Sequence, residues 1–421
     1  MYCGNCLRDN ALVAALNRLG HSALLAPLYL PLTLDEPDSS AGMPIFFSGL
    51  NVYLQQKAAV FRAAPRWLNR LTAAPALLRW LGRLAAKTRP EQVGELTLSM
   101  LRGEEGNQAR ELEELIGWLK AQPKPDVICL SNCLLIGMCR RLKAELGVPV
   151  VCMLQGEDSF LDALPAAHRA QAWSTLAERV QEANLCVAPS RYFAARMSER
   201  LRLAPERVRV VYNGINLDGY DGPVLKPQPS PVLGYFARMC PEKGLDTLVE
   251  AFILLKRRGK AAGLKLWVGG SLSPGDQPFV NALRDRLQAE RLPDAVEFHP
   301  NLERADKIAF LRSLTVFSAP ARYGEAFGLY VLEALAAGVP VVQPRQAAFP
   351  ELIAATGGGV LCEPGSPQAL AEAVESLLAK PAWAKSLGEA GRAAVHEKFS
   401  AGAMAQAMLR VFAEIVSCTP G

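Results

Sequence analysis

Short apolar runs and longer amphipathic segments alternate along most of the chain, in two series separated by a proline-rich stretch. The short runs predict buried strands, and segments with apolar positions every three or four residues predict helices. Strands that alternate with helices form parallel sheets, which bind ligands at the carboxyl ends of their strands. The pattern therefore predicts an α/β fold of two tandem, doubly wound domains of the Rossmann type.

The first domain is predicted to cover residues 1–216 and the second residues 232–398, with a linker at 217–231. The first domain opens with a predicted helix at 7–19 and a predicted strand at 22–30, and the strand that would precede this helix is expected to be missing. The other predicted strands are 126–131, 148–154, 185–188 and 208–212 in the first domain, and 232–237, 265–268, 296–299, 315–318, 339–342 and 359–362 in the second.

The stretch 321–340 carries the clearest chemical signal. A polar loop containing Glu325 runs through Gly328 into a helix predicted at 329–337. Free backbone N–H groups and the helix dipole favour an anion at a helix N-terminus. Glu325 and Glu333 would accept hydrogen bonds from sugar hydroxyls on either side of that anion. Two Glu residues at this spacing also occur by chance in helices, but the layout fits a polyol diphosphate.

Two cations, Arg238 and Lys243, follow the predicted strand 232–237 and precede a helix. Cations at a helix N-terminus oppose its dipole, which is unfavourable unless they share an anion. A bound diphosphate would supply that anion. The alternative is that both are exposed surface charges.

These residues resemble motifs of the retaining family 4 glycosyltransferases, also called glycosyl transferases group 1. Glu325-Ala326-Phe327-Gly328-Leu329, followed by Glu333, is similar to the donor-binding motif of that family. Arg238 with Lys243-Gly244 is similar to its diphosphate-binding element. The resemblance implies the GT-B fold, in which two Rossmann-like domains face each other across a cleft, and a final helix at 399–421 that crosses back to the first domain.

The resemblance also implies a function, a retaining glycosyltransferase of hexosyltransferase type that uses a nucleotide-diphosphate sugar as co-substrate. No cofactor is expected. The sequence contains no Asp-x-Asp metal motif, so no metal site is expected, and the two cations would take over the metal's electrostatic role. Ala326 replaces the usual Gly of the family, and Gln155 stands where members often have a His. The acceptor, whether glycan, lipid-linked or small molecule, is not specified.

Roles follow from the resemblance residue by residue. The residues expected to be catalytic are Arg238, Lys243 and Glu325. Those expected to bind the donor are Gly4, Asn5, Phe327, Gly328, Leu329 and Glu333. Residues at the carboxyl ends of strands in the first domain would form the acceptor side, namely Asn132, Gln155, Glu157 and Asp158.

Two other functions stay open. A sugar-nucleotide epimerase on the same fold would need acid–base carboxylates and a His in the cleft, which the sequence does not place there. A non-catalytic nucleotide-sugar binder is suggested by the expected lack of the first strand and by Gln155.

A helical insertion predicted at about residues 51–90 departs from the overall net charge of +5. From Lys57 to Arg89 it carries eight basic residues and no acid, with Trp67 and Trp80 near a leucine face. Such a basic amphipathic segment suits an anionic membrane surface; packing on its own domain with solvated arginines is the alternative. The rest of the chain is not basic, so no nucleic-acid partner is expected. Ten cysteines within apolar runs and no visible signal peptide indicate a cytoplasmic location.

Overall fold

The computed structural model describes residues 4–28, 36–46, 90–222, 230–259 and 263–417. The described chain forms two compact units, which are treated separately here. The C-terminal unit comprises residues 212–405 with the described parts of 1–15 and 33–37, and the N-terminal unit comprises the rest. The predicted basic segment between Lys57 and Arg89 lies outside the described residues.

Within its described residues, the N-terminal unit has a four-stranded parallel sheet in the order β1-β2-β3-β4. The strands are β1 (Ile128–Leu130), β2 (Val150–Met153), β3 (Leu185–Ala188) and β4 (Val208–Val210). Every residue of β2 and β3 is buried, as expected for the central strands of a parallel sheet that is covered on both faces.

The first helix, α1 (Gly4–Arg18), belongs to the C-terminal unit as far as Ala15. The following helices of the N-terminal unit are α2 (Pro90–Arg102), α3 (Ala109–Lys120), α4 (Cys139–Leu146), α5 (Glu157–Asp162), α6 (Ala166–Arg179) and α7 (Arg191–Leu201). The predicted alternation of strands and helices is confirmed here.

One prediction for the N-terminal unit is wrong. Residues 22–28, the described part of the strand predicted at 22–30, form no strand, and Leu24 is 47% exposed. Apolar residues alone do not supply the hydrogen-bonded neighbour that a strand needs. After β2 the chain enters α5, a short helix that the sequence analysis did not predict. Gly156, with φ +96°, precedes the helix. The negative side chains of Glu157 and Asp158 lie in its first turn, near the positive end of the helix dipole, and stabilise it.

The described residues of the C-terminal unit form a six-stranded parallel sheet in the order β10-β9-β8-β5-β6-β7. Its strands are β5 (Val232–Phe236), β6 (Lys265–Gly270), β7 (Val296–Pro300), β8 (Val316–Phe317), β9 (Val341–Pro344) and β10 (Gly359–Cys362). The chain proceeds from β5 through β6 to β7 and then returns to place β8 on the other side of β5. In open α/β sheets, ligands bind where the strand order reverses in this way.

The helices of this unit pack an apolar face against the sheet. They are α8 (Leu245–Arg257), α9 (Gln277–Ala289), α10 (Arg304–Arg312), α11 (Leu329–Ala336), α12 (Phe349–Thr356), α13 (Pro367–Leu378), α14 (Pro381–Lys398) and α15 (Ala401–Ser417). In α8, the side chains of Leu245, Leu248, Phe252 and Leu255 recur at helical spacing and are fully buried. From Gln406 onward, α15 belongs to the N-terminal unit. No helix among the described residues is long and apolar enough to cross a membrane.

Candidate active site

Three loops at the carboxyl ends of β5, β6 and β8 bring charged side chains together. The loop after β5 carries Arg238 and Lys243, the loop after β6 carries Asp276, and the loop after β8 carries Tyr323 and Glu325. Because β5 lies between β6 and β8, its loop can contact both of the others. The two predicted cations thus lie at the reversal of strand order.

Arg238 is held by a carboxylate that the sequence did not indicate. Its Nε and Nη2 donate to Asp276 Oδ2 and Oδ1, at 3.0 and 2.9 Å, and Ser273 Oγ donates to Oδ2 at 2.5 Å. The hydrogen bonds with Asp276 raise the pKa of Arg238. Burial opposes ionisation of Asp276, but Arg238 and Ser273 together hold its pKa below the usual value. The guanidinium is half exposed and uses only two of its three nitrogens on Asp276.

Lys243 lies on a tight turn that ends at Gly244. Gly244 has φ +74°, and a Cβ built on it would lie 2.0 Å from the carbonyl oxygen of Pro320. Only glycine fits this close approach. The turn places Lys243 Nζ 2.6 Å from Glu325 Oε2, with the Tyr323 hydroxyl in contact as well.

Glu325 is the centre of this cluster. The hydroxyls of Tyr323 and Tyr330 each donate to its Oε2 at 2.9 Å. Burial alone would raise the pKa of Glu325, but the Lys243 ammonium and the three hydrogen bonds lower it below the usual value. Burial and the negative charge of Glu325 raise the pKa values of both tyrosines, so both hydroxyls remain hydrogen-bond donors.

Each of the two cations has a carboxylate partner within its own unit. Asp276 compensates Arg238, and Glu325 compensates Lys243. The sequence contained the four residues, but the pairing depends on which loops the sheet places side by side.

The predicted donor-binding residues after Glu325 differ in their surroundings. Gly328, with φ +97°, precedes α11 and turns the chain into it. Phe327 is buried against Tyr212, with ring centroids 6.1 Å apart, so its side chain contributes to packing. In α11, Glu333 accepts from Lys307 Nζ at 3.0 Å, and Lys307 is 4% exposed.

The N-terminal end of α1 lies near the start of α11. A Cβ built on Gly4 would be 3.7 Å from Leu329 Cδ1. Gly4 therefore lies close to the first residue of α11, which follows the loop that carries Glu325, and Asn5 is the next residue of α1.

The predicted acceptor-side residues lie together at the carboxyl ends of β1 and β2. The Asn132 side chain accepts from the Leu134 backbone N–H at 3.0 Å. Glu157 accepts from the backbone N–H groups of Cys133 and Gln155 at 2.9 and 2.7 Å, one on each carboxylate oxygen. Burial outweighs these bonds and raises the pKa of Glu157.

Asp158 is 2% exposed and forms an ion pair with Arg196. Both acidic side chains that were expected on the acceptor side, Glu157 and Asp158, are therefore engaged with their own unit.

Sequence reasoning missed Asp276, Lys307, Tyr323 and Tyr330, which contact predicted residues, and Ser273, which contacts Asp276. The two tyrosines flank the Glu325 motif in sequence and could have been noted from that position. The other three come from distant loops or helices. No group of three or more His, Cys, Asp or Glu side chains that could hold a metal ion occurs within the described part of the chain.

Comparison with known protein families covers both units. Residues 220–394 match the model for Glycosyl transferases group 1, and residues 91–218 match the model for Glycosyltransferase Family 4. The chain belongs to these glycosyltransferases. The resemblance to family 4 glycosyltransferases is thereby confirmed.

Individual proteins are also similar to parts of this chain. Glycogen synthase of Mycobacterium tuberculosis is 30% identical over 206 residues, which are 49% of this chain and 48% of that protein. An uncharacterized glycosyltransferase of Methanocaldococcus jannaschii, MJ1178, is 26% identical over 276 residues, 65% of this chain and 71% of that protein. The chain thus spans about half the length of the first of these relatives.

Solved structures show the fold. Sucrose-phosphate synthase of Thermosynechococcus elongatus is 21% identical, with a TM-score of 0.61 over 73% of this chain and 79% of that one. HepE of Anabaena, in complex with UDP, is 19% identical, with a TM-score of 0.61 over 74% of this chain and 84% of that one. These similarities confirm two Rossmann-like domains of the GT-B type.

Proposed function

We propose that this protein is a retaining, metal-independent glycosyltransferase that moves a sugar from a nucleotide-diphosphate sugar to an acceptor hydroxyl. The observation that carries the proposal is the pair of cations beside the reversal of strand order. Asp276 fixes Arg238, Glu325 fixes Lys243, and α11 begins in the same loop region. Two fixed cations and a helix N-terminus suit a diphosphate that gains negative charge as it leaves.

The proposed transfer forms one bond and breaks one. The acceptor oxygen attacks the anomeric carbon on the face from which the diphosphate departs, and the diphosphate leaves with the electron pair of the broken bond. A departing phosphate oxygen takes the acceptor proton, so the step requires no protein base. Lys243 and the Arg238 nitrogen not used by Asp276 would stabilise the developing charge.

Glu325 would accept a hydrogen bond from a hydroxyl of the donor sugar, and Glu333 would accept hydrogen bonds from the ribose hydroxyls. The complexes of Anabaena HepE with UDP and with UDP-glucose support a donor of this chemical class. Glycogen synthase and sucrose-phosphate synthase are named for different products. For the acceptor we therefore propose only a hydroxyl group of a glycan, a lipid-linked sugar or a small molecule.

Calorimetric titration of Arg238→Ala and Lys243→Ala tests the phosphate role. A thermal-shift screen of UDP, GDP and ADP first selects the nucleotide. Each variant should then lose about 1.5–3 kcal/mol of binding free energy for that diphosphate, the scale for a hydrogen bond to a charged group, and bind the free nucleoside as the parent does. Arg257→Ala is a matched control, because Arg257, the last residue of α8, pairs with Glu290 just after α9 and not with the site. Equal losses for nucleoside and diphosphate would contradict the phosphate role.

Product analysis separates transfer from the two alternatives. Donor incubated with acceptors should release nucleoside diphosphate and yield a glycoside with the anomeric configuration of the donor, and EDTA should leave the rate unchanged. Epimerised sugar nucleotide without released diphosphate would identify an epimerase. Tight binding without turnover would identify a nucleotide-sugar binder.

We also propose that the protein is cytoplasmic and contacts anionic membranes through the segment from Lys57 to Arg89. The support is its sequence, with eight basic residues and no acid. Each basic residue near an anionic surface contributes about 1 kcal/mol, and salt should weaken the attraction. Sedimentation with phosphatidylserine and phosphatidylcholine vesicles, at low and high salt, tests this. Equal recovery in the supernatant throughout would favour a structural insertion.

A further inference from the structure

Hydrogen bonds to Glu325 are unevenly divided between its two carboxylate oxygens. Lys243 Nζ and the hydroxyls of Tyr323 and Tyr330 all donate to Oε2, at 2.6, 2.9 and 2.9 Å. Among the described residues, no hydrogen bond of the structure ends on Oε1. The Glu325 side chain is 12% exposed. Its carboxylate is thus fixed at one oxygen, while the other can accept a hydrogen bond.

The two tyrosines reach this oxygen from different elements. Tyr323 lies in the loop after β8, and Tyr330 is the second residue of α11. The Tyr330 ring packs near Phe317 and Phe349, with centroids 6.3 and 6.5 Å apart, so the core fixes the direction of its hydroxyl. Lys243 Nζ lies 4.8 and 5.0 Å from the centroids of the two tyrosine rings. A cation between two ring faces is favourable, which ties the lysine to the same cluster.

We propose that Tyr323 and Tyr330 are positioning residues that present Glu325 Oε1 to one hydroxyl of the donor sugar. They would thereby determine which sugar is transferred. This inference rests on the proposed function, because it requires that Glu325 meets the sugar.

The tyrosines supply what Lys243 alone cannot. A diphosphate attracts the Lys243 ammonium, and any movement toward it lengthens the bond to Glu325. A buried carboxylate without its cation is costly and free to reorient. The phenol hydroxyls are neutral, so a diphosphate attracts them far less, and their two hydrogen bonds keep Oε2 in place. The orientation of Oε1 would then survive donor binding.

The test compares sugars that differ in one hydroxyl. The variants are Tyr323→Phe, Tyr330→Phe and the double variant, with Tyr220→Phe as a control that removes another buried tyrosine hydroxyl of the same unit. The probes are the preferred nucleoside diphosphate and its glucose, galactose and mannose conjugates. The double variant should bind the diphosphate alone as the parent does, and kcat/KM for the preferred sugar should fall about tenfold, the loss expected when a hydrogen bond to a charged group is removed.

Discrimination between the epimers should fall by a similar factor, because a carboxylate free to rotate can meet a hydroxyl in either configuration. Tyr220→Phe should keep the parental ratio, a result that a general loss of packing would not give. Each single variant keeps one hydroxyl on Oε2 and should show a smaller shift in the same direction, so the test stands even if the double variant does not fold.

Two different failures can be told apart. If the parent protein transfers none of these sugars, the proposed function itself is wrong. If Glu325→Ala is inactive but the tyrosine variants keep the parental epimer ratio, only the positioning role is overturned.

Discussion

Glu325 in the C-terminal unit and Glu157 in the N-terminal unit follow the carboxyl ends of parallel strands, and both are largely shielded from solvent. Their partners differ. Glu325 accepts from an ammonium and two phenols, all on one oxygen, and its pKa is lowered despite burial. Glu157 accepts from two backbone N–H groups, one on each oxygen, and burial raises its pKa.

The difference shows that the type of partner decides what a buried carboxylate can do. Backbone amides only partly offset the loss of water around a charge, whereas a fixed cation offsets it fully enough to lower the pKa. Glu157 has both oxygens engaged and connects the loops after β1 and β2. Glu325 has one oxygen engaged. We therefore expect Glu325 to act on substrate and Glu157 to hold structure.

The largest effect is expected for Glu325→Ala. Sugar transfer should fall by roughly a hundredfold or more, the cost of losing one preorganised group of an active site. The initial rate at saturating donor measures this, with circular dichroism to check folding. A near-parental rate in a folded variant would show that Glu325 does not act on substrate.

Glu157→Gln should act on stability instead. A Gln side chain has one acceptor oxygen, so the backbone N–H of Cys133 or Gln155 loses its partner, at a cost of about 1–3 kcal/mol. Urea unfolding measures the loss, and the transfer rate per folded molecule should stay close to that of the parent. A stable variant that has lost transfer activity would indicate that Glu157 contacts the substrate, contrary to the expected difference between the two residues.

Asp276→Asn tests whether a carboxylate partner also orients Arg238 for binding a diphosphate. The variant should bind the preferred nucleoside diphosphate about 1 kcal/mol more weakly, because the neutral amide orients the guanidinium less firmly. In an Arg238→Ala background the same change should have no further effect, as expected for residues that act together. Losses that simply add in the double variant would show that Asp276 acts independently of Arg238.

Lys307→Met sharpens the comparison within the C-terminal unit, since Glu333 also pairs with a buried cation. If Lys307 orients Glu333 toward ribose, the variant should bind the nucleoside diphosphate up to about 1 kcal/mol more weakly and inorganic diphosphate as before. Lys307→Arg, which keeps the charge, should restore part of the loss. Equal weakening for both ligands would argue against a ribose contact.

The smallest effect concerns pH. The lowered pKa of Glu325 contributes stability that is present above its unfolded pKa and lost as pH falls through the folded pKa. The raised pKa of Glu157 contributes stability that is present below its unfolded pKa and lost as pH rises through the folded pKa. On acidification, the stability gap between parent and Glu325→Gln should shrink, whereas that between parent and Glu157→Gln should grow. Hydrogen exchange resolved for each unit measures both trends, and trends of the same sign would refute the contrast.

Much of the fold could be predicted because its signals are local. The strands from β1 to β10 correspond to apolar runs, and the helix after Gly328 to a run of strong helix formers. Predictions failed where tertiary context decided. Residues 22–28 lack strand structure although the sequence is apolar. At α5, the left-handed backbone of Gly156 and two acidic residues in the first turn allow a short helix that the sequence analysis did not predict.

For the candidate site, the sequence by itself determined which residues to consider. The motif around Glu325 and the cations Arg238 and Lys243 were identifiable from local pattern and family resemblance. Only the tertiary structure decided the partners. Arg238 bonds to Asp276, 38 positions away, and Lys243 to Glu325, 82 positions away. Periodicity and motifs describe neighbours along the chain, whereas these pairs depend on the sheet placing β5 between β6 and β8. Because strand order follows from how the whole unit packs, no local pattern specified which carboxylate each cation would meet.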